Sequence, residues 1–469
     1  MNKFYDREEE LTALTRQWEA HGAQFMLLYG RRRVGKTYLL QHFFREGRPN
    51  CYFLASQTSL AENMHQLAEE LTISLPDSGF RPADLPTFNS ILKLAGSQAR
   101  DHRFALILDE FQYLVEQDPS IPSQIQAWWD GDAINSSIFL VLCGSHLSMM
   151  EGLGGPQAPL FGRFTLRHKL LPMTYQAVAD FYADSAYSKR DKLLAYGILG
   201  GTPKYQALFD PEVSIRDNTC SHILADTGLL RTEPQFLLSS GQIRDPSPYN
   251  ATLRAIAEGC TRPTEIGQHL DSTPSQLSFY LRSLMELEWV KRERSFGEKT
   301  DSRTIYKIAD NFLLFWYRFV AGLQSELEFQ PIDRVYRDRI EPYLNDYMGW
   351  HVFEDVCHQY LREHGSQLLG KAIRDAGKYW SRDGQLELDI IAELEDGHYL
   401  LGECKWSSSP VGISVYHDLI GKAARLPEAK YKDQPTYIIF SMAGFDDHLR
   451  ETAQRDGVLL VSGDELLDD

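Results

Sequence analysis

Apolar positions along this chain follow two rhythms. Short continuous runs at Gln24–Tyr29, Phe104–Leu108 and Ile138–Leu142 are strand-sized, and the first reads as a buried strand. Tyr38–Phe44 carries the helical rhythm directly after the first run, and a further strand is expected over Thr165–Leu171. The Asp245-Pro246-Ser247-Pro248 cluster marks a boundary. Beyond it come three helical patterns, Ala251–Glu258, Thr264–Leu270 and Pro274–Glu288. In the third, Leu277, Tyr280, Leu281, Leu284 and Leu287 recur at helical spacing. Trp289–Arg294 and Arg303–Ile308 then read as a strand pair with a polar loop between them. The aromatic stretch Asp310–Val320 reads as a buried helix joining modules.

The last third combines both rhythms. Trp350–Leu361 is a predicted helix with Val352, Val356 and Tyr360 on one stripe. Tyr379–Trp380, Leu386–Ala392 and His398–Trp406 are predicted strands, separated by turns at Arg382–Gly384 and Glu395–Gly397. Strict alternation sends Leu386, Leu388 and Ile390 to one face and Glu387, Asp389 and Ile391 to the other. Glu403 and Lys405 share a face with Leu401. A helix over Val415–Leu426, a strand over Thr436–Phe440, a helix over Asp446–Asp456 and a strand over Val458–Val461 complete the pattern.

The first strand runs straight into Gly30-Arg31-Arg32-Arg33-Val34-Gly35-Lys36-Thr37, which matches GxxxxGK[ST]. Strand, glycine-rich loop and helix in this order make a phosphate cradle. Backbone N–H groups close on the phosphates, Lys36 adds a point charge, Thr37 offers a hydroxyl to magnesium, and the helix N-terminus adds its dipole. The second strand ends in Asp109-Glu110. An aspartate there suits holding magnesium through water, and a glutamate suits orienting the attacking water. Ser145, after the third strand, is a candidate γ-phosphate sensor, although a plain strand-end turn explains it equally well. Arg163 is either an arginine finger, in cis or from a neighbouring copy, or a surface arginine.

In the C-terminal third, a hairpin that sets Asp389 beside Glu403 and Lys405 gathers two carboxylates and an amine. Asp389 and Glu403 supply hard oxygens for magnesium, and Lys405 can orient water or offset developing charge. The loop after Trp289–Arg294 and its flanks carry Lys291, Arg292, Arg294, Lys299 and Arg303. The third helix before them holds Arg282 as its only base, fewer donors than a major-groove reader uses. Two readings follow for this module: nucleic-acid binding through the loop, or an arm that relays movement.

Composition narrows the field. The net charge is −17, which opposes broad nucleic-acid affinity and leaves room for local basic patches. Six cysteines lie scattered without a CxxC pair, as expected of reduced thiols in a cytoplasmic protein and not of a zinc ribbon. The apolar runs are too short for a membrane span, and the opening segment lacks a signal-peptide core.

Taken together, Phe4–Leu11, GRRRVGKT at 30–37, LDEFQYL at 108–114, CGSHLSMM at 143–150, FGR at 161–163 and GGTPKY at 200–205 resemble the archaeal-type P-loop ATPases. These are relatives of the AAA+ and STAND regulatory ATPases. The resemblance covers the whole chain and implies an α/β multidomain protein. It places a P-loop ATPase core at 1–170, a helical lid at 171–244, a winged helix-turn-helix at 245–320 and a PD-(D/E)XK nuclease-like domain at 330–469. It sets Asp6 and Arg7 near the adenine and Gly201–Pro203 in the lid. The nucleotide-binding set becomes Arg7, Gly30, Arg33, Gly35, Lys36, Thr37, Tyr38, Asp109, Ser145 and Pro203. Thr37 and Asp109 are its magnesium ligands, and Glu110 and Arg163 its catalytic residues. In the last domain the resemblance adds Glu354 to Asp389 and Glu403 as metal ligands, with Lys405 beside them. ATP and magnesium are the implied cofactors, with manganese an option at the second site. The implied activity is ATP-controlled nucleic-acid cleavage, DNA favoured over RNA, in defence or DNA processing. A homo-oligomer is expected if Arg163 acts in trans. The alternative is a non-cleaving regulator with a degenerate nuclease fold.

Overall fold

The computed structural model describes residues 5–45, 47–239, 243, 245–428, 431 and 433–468, with the backbone alone at 301. Phe4 of the opening motif and Asp469 of the acidic C-terminal run lie outside the described residues. The chain divides into two units, Met1–Pro172 with Thr202–Lys204, and Met173–Gly201 with Tyr205–Asp469.

The first unit is a five-stranded sheet built from β1 (Gln24–Tyr29), β2 (Asn50–Leu54), β3 (Phe104–Asp109), β4 (Ile138–Gly144) and β5 (Leu166–Lys169). Its order is β2-β3-β4-β1-β5, with every pair parallel. The unbroken apolar runs are explained by burial of both faces. Leu106, Leu108, Leu140 and Leu142 pack on one side, and Ala105, Ile107, Phe139 and Val141 on the other. Helices α1 (Glu8–Glu19), α2 (Lys36–Phe44), α3 (Gln112–Gln117) and α4 (Ile121–Gly131) follow the strands or flank them. The order sets the C-terminal ends of β3, β4 and β1 side by side. An open parallel sheet takes its ligands at that edge.

In the second unit, α5 (Ser247–Ala257), α6 (Pro263–His269) and α7 (Pro274–Glu286) precede an antiparallel hairpin of β6 (Val290–Arg294) and β7 (Thr304–Ile308). Thr273 caps α7 by accepting from the Gln276 N–H, a capping box legible as Thr-x-x-Gln. A second five-stranded sheet holds β8 (Ile373–Trp380), β9 (Glu387–Leu394), β10 (Tyr399–Lys405), β11 (Thr436–Ser441) and β12 (Leu459–Ser462), in the order β12-β11-β10-β9-β8. The β8-β9-β10 meander is antiparallel, while β11 and β12 join in parallel. Helix α8 (Glu354–Leu369) precedes this sheet, and α9 (Ile413–Ala424) links β10 to β11.

Two local departures from the sequence pattern fall at chemically important residues. Strict alternation along β9 does not hold, because Gly377 pairs with Ile391 while Tyr379 pairs with Leu388. Two steps along β8 thus oppose three along β9. The extra residue is a β-bulge at Asp389–Ile390, facing Lys378. As a result Leu388 packs in the same cluster as Ile391, and Ile390 packs in the other. The expected single helix over 350–361 is also split. Met348–Phe353 is a π-turn, and α8 begins at Glu354. The wider turn resets the helix register at that junction, where the Glu354 side chain is buried.

Candidate functional site

The phosphate loop folds around its own lysine. Lys36 Nζ donates to the carbonyls of Gly30 and Arg31, 2.9 Å each. Gly30 has to be glycine, since a Cβ there would stand 2.4 Å from the Leu170 carbonyl oxygen. Gly35 holds φ +97 at the start of α2, and Arg33 adopts the left-handed region at φ 69. Such strain in a non-glycine residue persists only where the surroundings enforce it, and it clusters at functional loops. Arg7, itself buried, steadies the loop. Its guanidinium donates to the carbonyls of Val34 (3.3 Å) and Leu171 (3.0 Å). The Pro203 ring lies 3.9 Å from where a Gly35 Cβ would sit. Tyr38 is 47% exposed and stacks on the His42 ring.

At the neighbouring strand ends the acidic pair divides its labour. Asp109 is fully buried. Its Oδ2 accepts from the Thr37 hydroxyl at 2.6 Å and from the Tyr52 hydroxyl, and its Oδ1 accepts from the Glu110 N–H at 2.8 Å. Glu110 is held at φ 50, and its Oε2 accepts from Ser145 Oγ at 2.8 Å and from Gln112 Nε2. Gln112 also donates to Ser145 Oγ at 3.2 Å. Gly144 makes room for this group, because a Cβ there would lie 2.5 Å from Gln112 Oε1. Ser145 therefore contacts Glu110, and β4, the strand that ends just before it, lies between β1 and β3. Arg163 makes a two-pronged pair with Asp130 at 2.8 and 2.6 Å and donates to the carbonyls of Pro159 and Phe161. Reaching a phosphate would mean giving up those bonds. A hydroxyl touching a buried carboxylate beside a lysine in a glycine loop is the donor set that a magnesium–nucleotide complex takes.

The second unit holds a cluster of alternating charge. Asp389, at the bulge, accepts from the Cys404 N–H through Oδ2 at 2.8 Å, and its carbonyl meets His358 Nε2 at 2.9 Å. Glu403, 2% exposed, accepts from Lys405 at 2.7 Å and from Lys422 on α9 at 2.5 Å. Glu354 pairs with Lys378 on β8, each side chain 10% exposed. Burial works against the Lys405 charge, but Glu403 and then Asp389 outweigh it and raise its pKa. Burial, then Lys307, lowers the Lys378 ammonium to about 8. The structure thus brings Asp389, Glu403 and Lys405 together. Among the described residues, however, no three His, Cys, Asp or Glu side chains are grouped so as to hold a metal ion. The oxygens suit magnesium in kind, but lysines compensate them in this arrangement. Lys378 and Lys422 were not read from the sequence; they lie 24 and 19 residues after the carboxylates they pair with.

Three of the hairpin's basic residues are paired with acids. Lys291 pairs with Glu293 (3.0 Å) and with Asp355 of α8 (2.6 Å), Lys307 with Glu293 (2.9 Å), and Arg303 with Glu298 (2.9 Å). Its tip is bound to β8. The Phe296 N–H donates to the Lys378 carbonyl at 2.7 Å, and Ser295 Oγ exchanges hydrogen bonds with the Trp380 backbone at 3.0 Å. The acidic C-terminal run is tied back as well, through Lys189 to Asp464 and Asp468.

Comparison with known proteins bears on the class of each domain. Residues 4–209 match the family described as an ATPase domain predominantly from Archaea. Residues 316–414, a span that includes Glu354, Asp389, Glu403 and Lys405, match a family of archaeal and bacterial proteins of unknown function. An uncharacterized protein of Methanocaldococcus jannaschii is 29% identical over 426 residues, 90% of this chain and 92% of its own. An uncharacterized ATP-binding protein of the same organism is 52% identical over 40 residues, 8% of this chain and 68% of that one. A Walker-type ATPase of Pyrococcus abyssi superposes with a TM-score of 0.52 at 21% identity, covering 67% of this chain and 96% of that one. The chain therefore carries an archaeal-type ATPase domain on an α/β P-loop core, followed by a C-terminal sheet domain. Among the described residues no helix is long and apolar enough to cross a membrane.

Proposed function

We propose that this chain is an ATP-hydrolysing switch whose C-terminal carboxylate–lysine cluster acts on phosphodiesters in nucleic acid, DNA in preference to RNA. The observation that carries the switch is the contact of Thr37 with Asp109 beside the bond from Ser145 to Glu110. Thr37 and Asp109 would hold magnesium, which when bound spreads charge away from the transferring phosphate. Lys36 exchanges the loop carbonyls for phosphate oxygens. Glu110, released from Ser145 and Gln112, orients the attacking water and takes its proton. Pro203, beside Gly35, belongs to a three-residue stretch of the first unit that the second unit flanks in sequence. Movement at the loop is passed on through that stretch.

In this reading residues 245–320 form a winged helix-turn-helix that relays movement. Lys291, Lys307 and Arg303 are spent on acids and the tip is bonded to β8, which favours the relay over groove reading. The C-terminal domain is of PD-(D/E)XK nuclease type. Asp389 and Glu403 would hold magnesium, whose role when bound is to activate water and stabilise the phosphate. Lys405 steers that water. Glu354 joins once Lys378 moves aside. The test incubates full-length protein with labelled single- and double-stranded DNA and RNA, magnesium or manganese, with and without ATP. Cleavage that is lost in Lys405→Ala and depends on ATP supports the reading.

A second reading, a switch that never cuts, draws support from the lysine pairing of Glu403 and Glu354 and from the net charge of −17. Absence of cleavage under all those conditions, with Asp389→Ala indistinguishable from wild type, selects it.

A further inference from the structure

We propose that Tyr52 is a positioning residue of the ATPase site, holding the Asp109 carboxylate in place for the metal that Thr37 and Asp109 would share. This rests on the reading of the first unit as a magnesium–ATP site.

Tyr52 lies on β2, whose register sets it opposite Ile107 of β3. Ile107 and Asp109 are two residues apart and share a face of the sheet, and Tyr52 projects from β2 to that same face. Its ring spans the diagonal, and the phenol donates to Asp109 Oδ2, the oxygen that also accepts from Thr37. On the opposite neighbour, β4, Cys143 flanks Asp109, and burial keeps its thiol pKa well above the ordinary value. The phenol O–H donates to the carboxylate there and does not compete for the cation.

In this structure Asp109 Oδ2 has two hydroxyl partners. A metal would take the Thr37 oxygen through a lone pair, which leaves the Thr37 O–H able to keep donating to Asp109. Tyr52 holds the same carboxylate oxygen from β2, so the fully buried carboxylate keeps its aim and its solvation as the metal arrives. Losing the outer partner of a metal-binding group typically costs about 10- to 100-fold in metal affinity or activity.

The test compares full-length wild type with Tyr52→Phe and Tyr52→Leu. Manganese affinity in the presence of ATP is read by electron paramagnetic resonance, and metal-free ATP affinity by a fluorescent ATP analogue. Tyr52→Phe is expected to bind metal-free nucleotide as wild type does. Its manganese affinity should fall about tenfold, with turnover largely restored at saturating manganese. If Tyr52→Phe matches wild type and only Tyr52→Leu is impaired, the ring packs and the hydroxyl does not position; the proposal is then overturned. Asp109→Asn separates the two levels. If it too leaves manganese affinity unchanged, the magnesium–ATP reading of the site falls, and the Tyr52 assignment with it.

Discussion

The buried pair of Glu354 and Lys378 offers a quantitative handle on the C-terminal cluster. Both side chains are 10% exposed, and burial with Lys307 nearby lowers the lysine to about 8. Removing one partner strands a charge in low dielectric, which typically costs roughly 3–5 kcal/mol, while replacing both by apolar residues is often close to neutral. Glu354→Gln and Lys378→Met should each lower the opening free energy of β8 and α8 by about 3 kcal/mol. The double variant should lose far less than their sum. Hydrogen exchange of β8 and α8 amides reads this locally, without assuming that the whole chain unfolds in one step. The Glu354→Gln deficit should also shrink as pH rises. Losing the carboxylate lowers the lysine further below its ordinary 10.5, so the added penalty is lost as pH rises to about 8, above which the ammonium is neutral in both folded proteins. Magnesium sharpens the test, because Lys378→Met exposes Glu354 to a cation. Metal at a hundred times its Kd would return about 2.7 kcal/mol. Additive single costs would refute the pairing argument, and no rescue by magnesium would weigh against the metal reading.

Two further outcomes follow. Gly30→Ala would force a Cβ onto the Leu170 carbonyl, so nucleotide affinity by fluorescence titration should drop at least tenfold while far-UV circular dichroism is retained. For Glu293, burial opposes ionisation but Lys291 and Lys307 prevail and lower the pKa to about 2 from 4.5. The stability it lends is present above pH 4.5 and is lost as pH falls toward 2. Glu293→Gln should accordingly flatten the acid limb of hairpin protection in hydrogen exchange.

Much of the first site was legible because its chemistry is local in sequence. Strand, glycine loop, Lys36 and Thr37 are contiguous, and Asp109-Glu110 ends an apolar run. What escaped notice depends on register between strands and on packing. Tyr52 reaches Asp109 only because β2 pairs with β3, and Gln112 reaches Glu110 only because α3 follows a left-handed residue. In the second unit Asp389, Glu403 and Lys405 were found, but alternation alone hid the extra residue that bulges at Asp389. The charge neutralisation by Lys378 and Lys422 comes from a strand and a helix with no motif of their own. Glu293 and Glu298 lie close in sequence to the cations they pair with, whereas the bond from Lys291 to Asp355 on α8 could only be seen in the fold.

The most direct test of the central claim is magnesium-dependent phosphate release from ATP by wild type, Lys36→Ala and Glu110→Gln, with ATP binding measured alongside. Turnover is expected in wild type and none in Lys36→Ala. Glu110→Gln should bind ATP yet turn over about a hundredfold more slowly, the scale of a lost general base. Turnover that survives Lys36→Ala, or a Glu110→Gln rate equal to wild type, would contradict the claim.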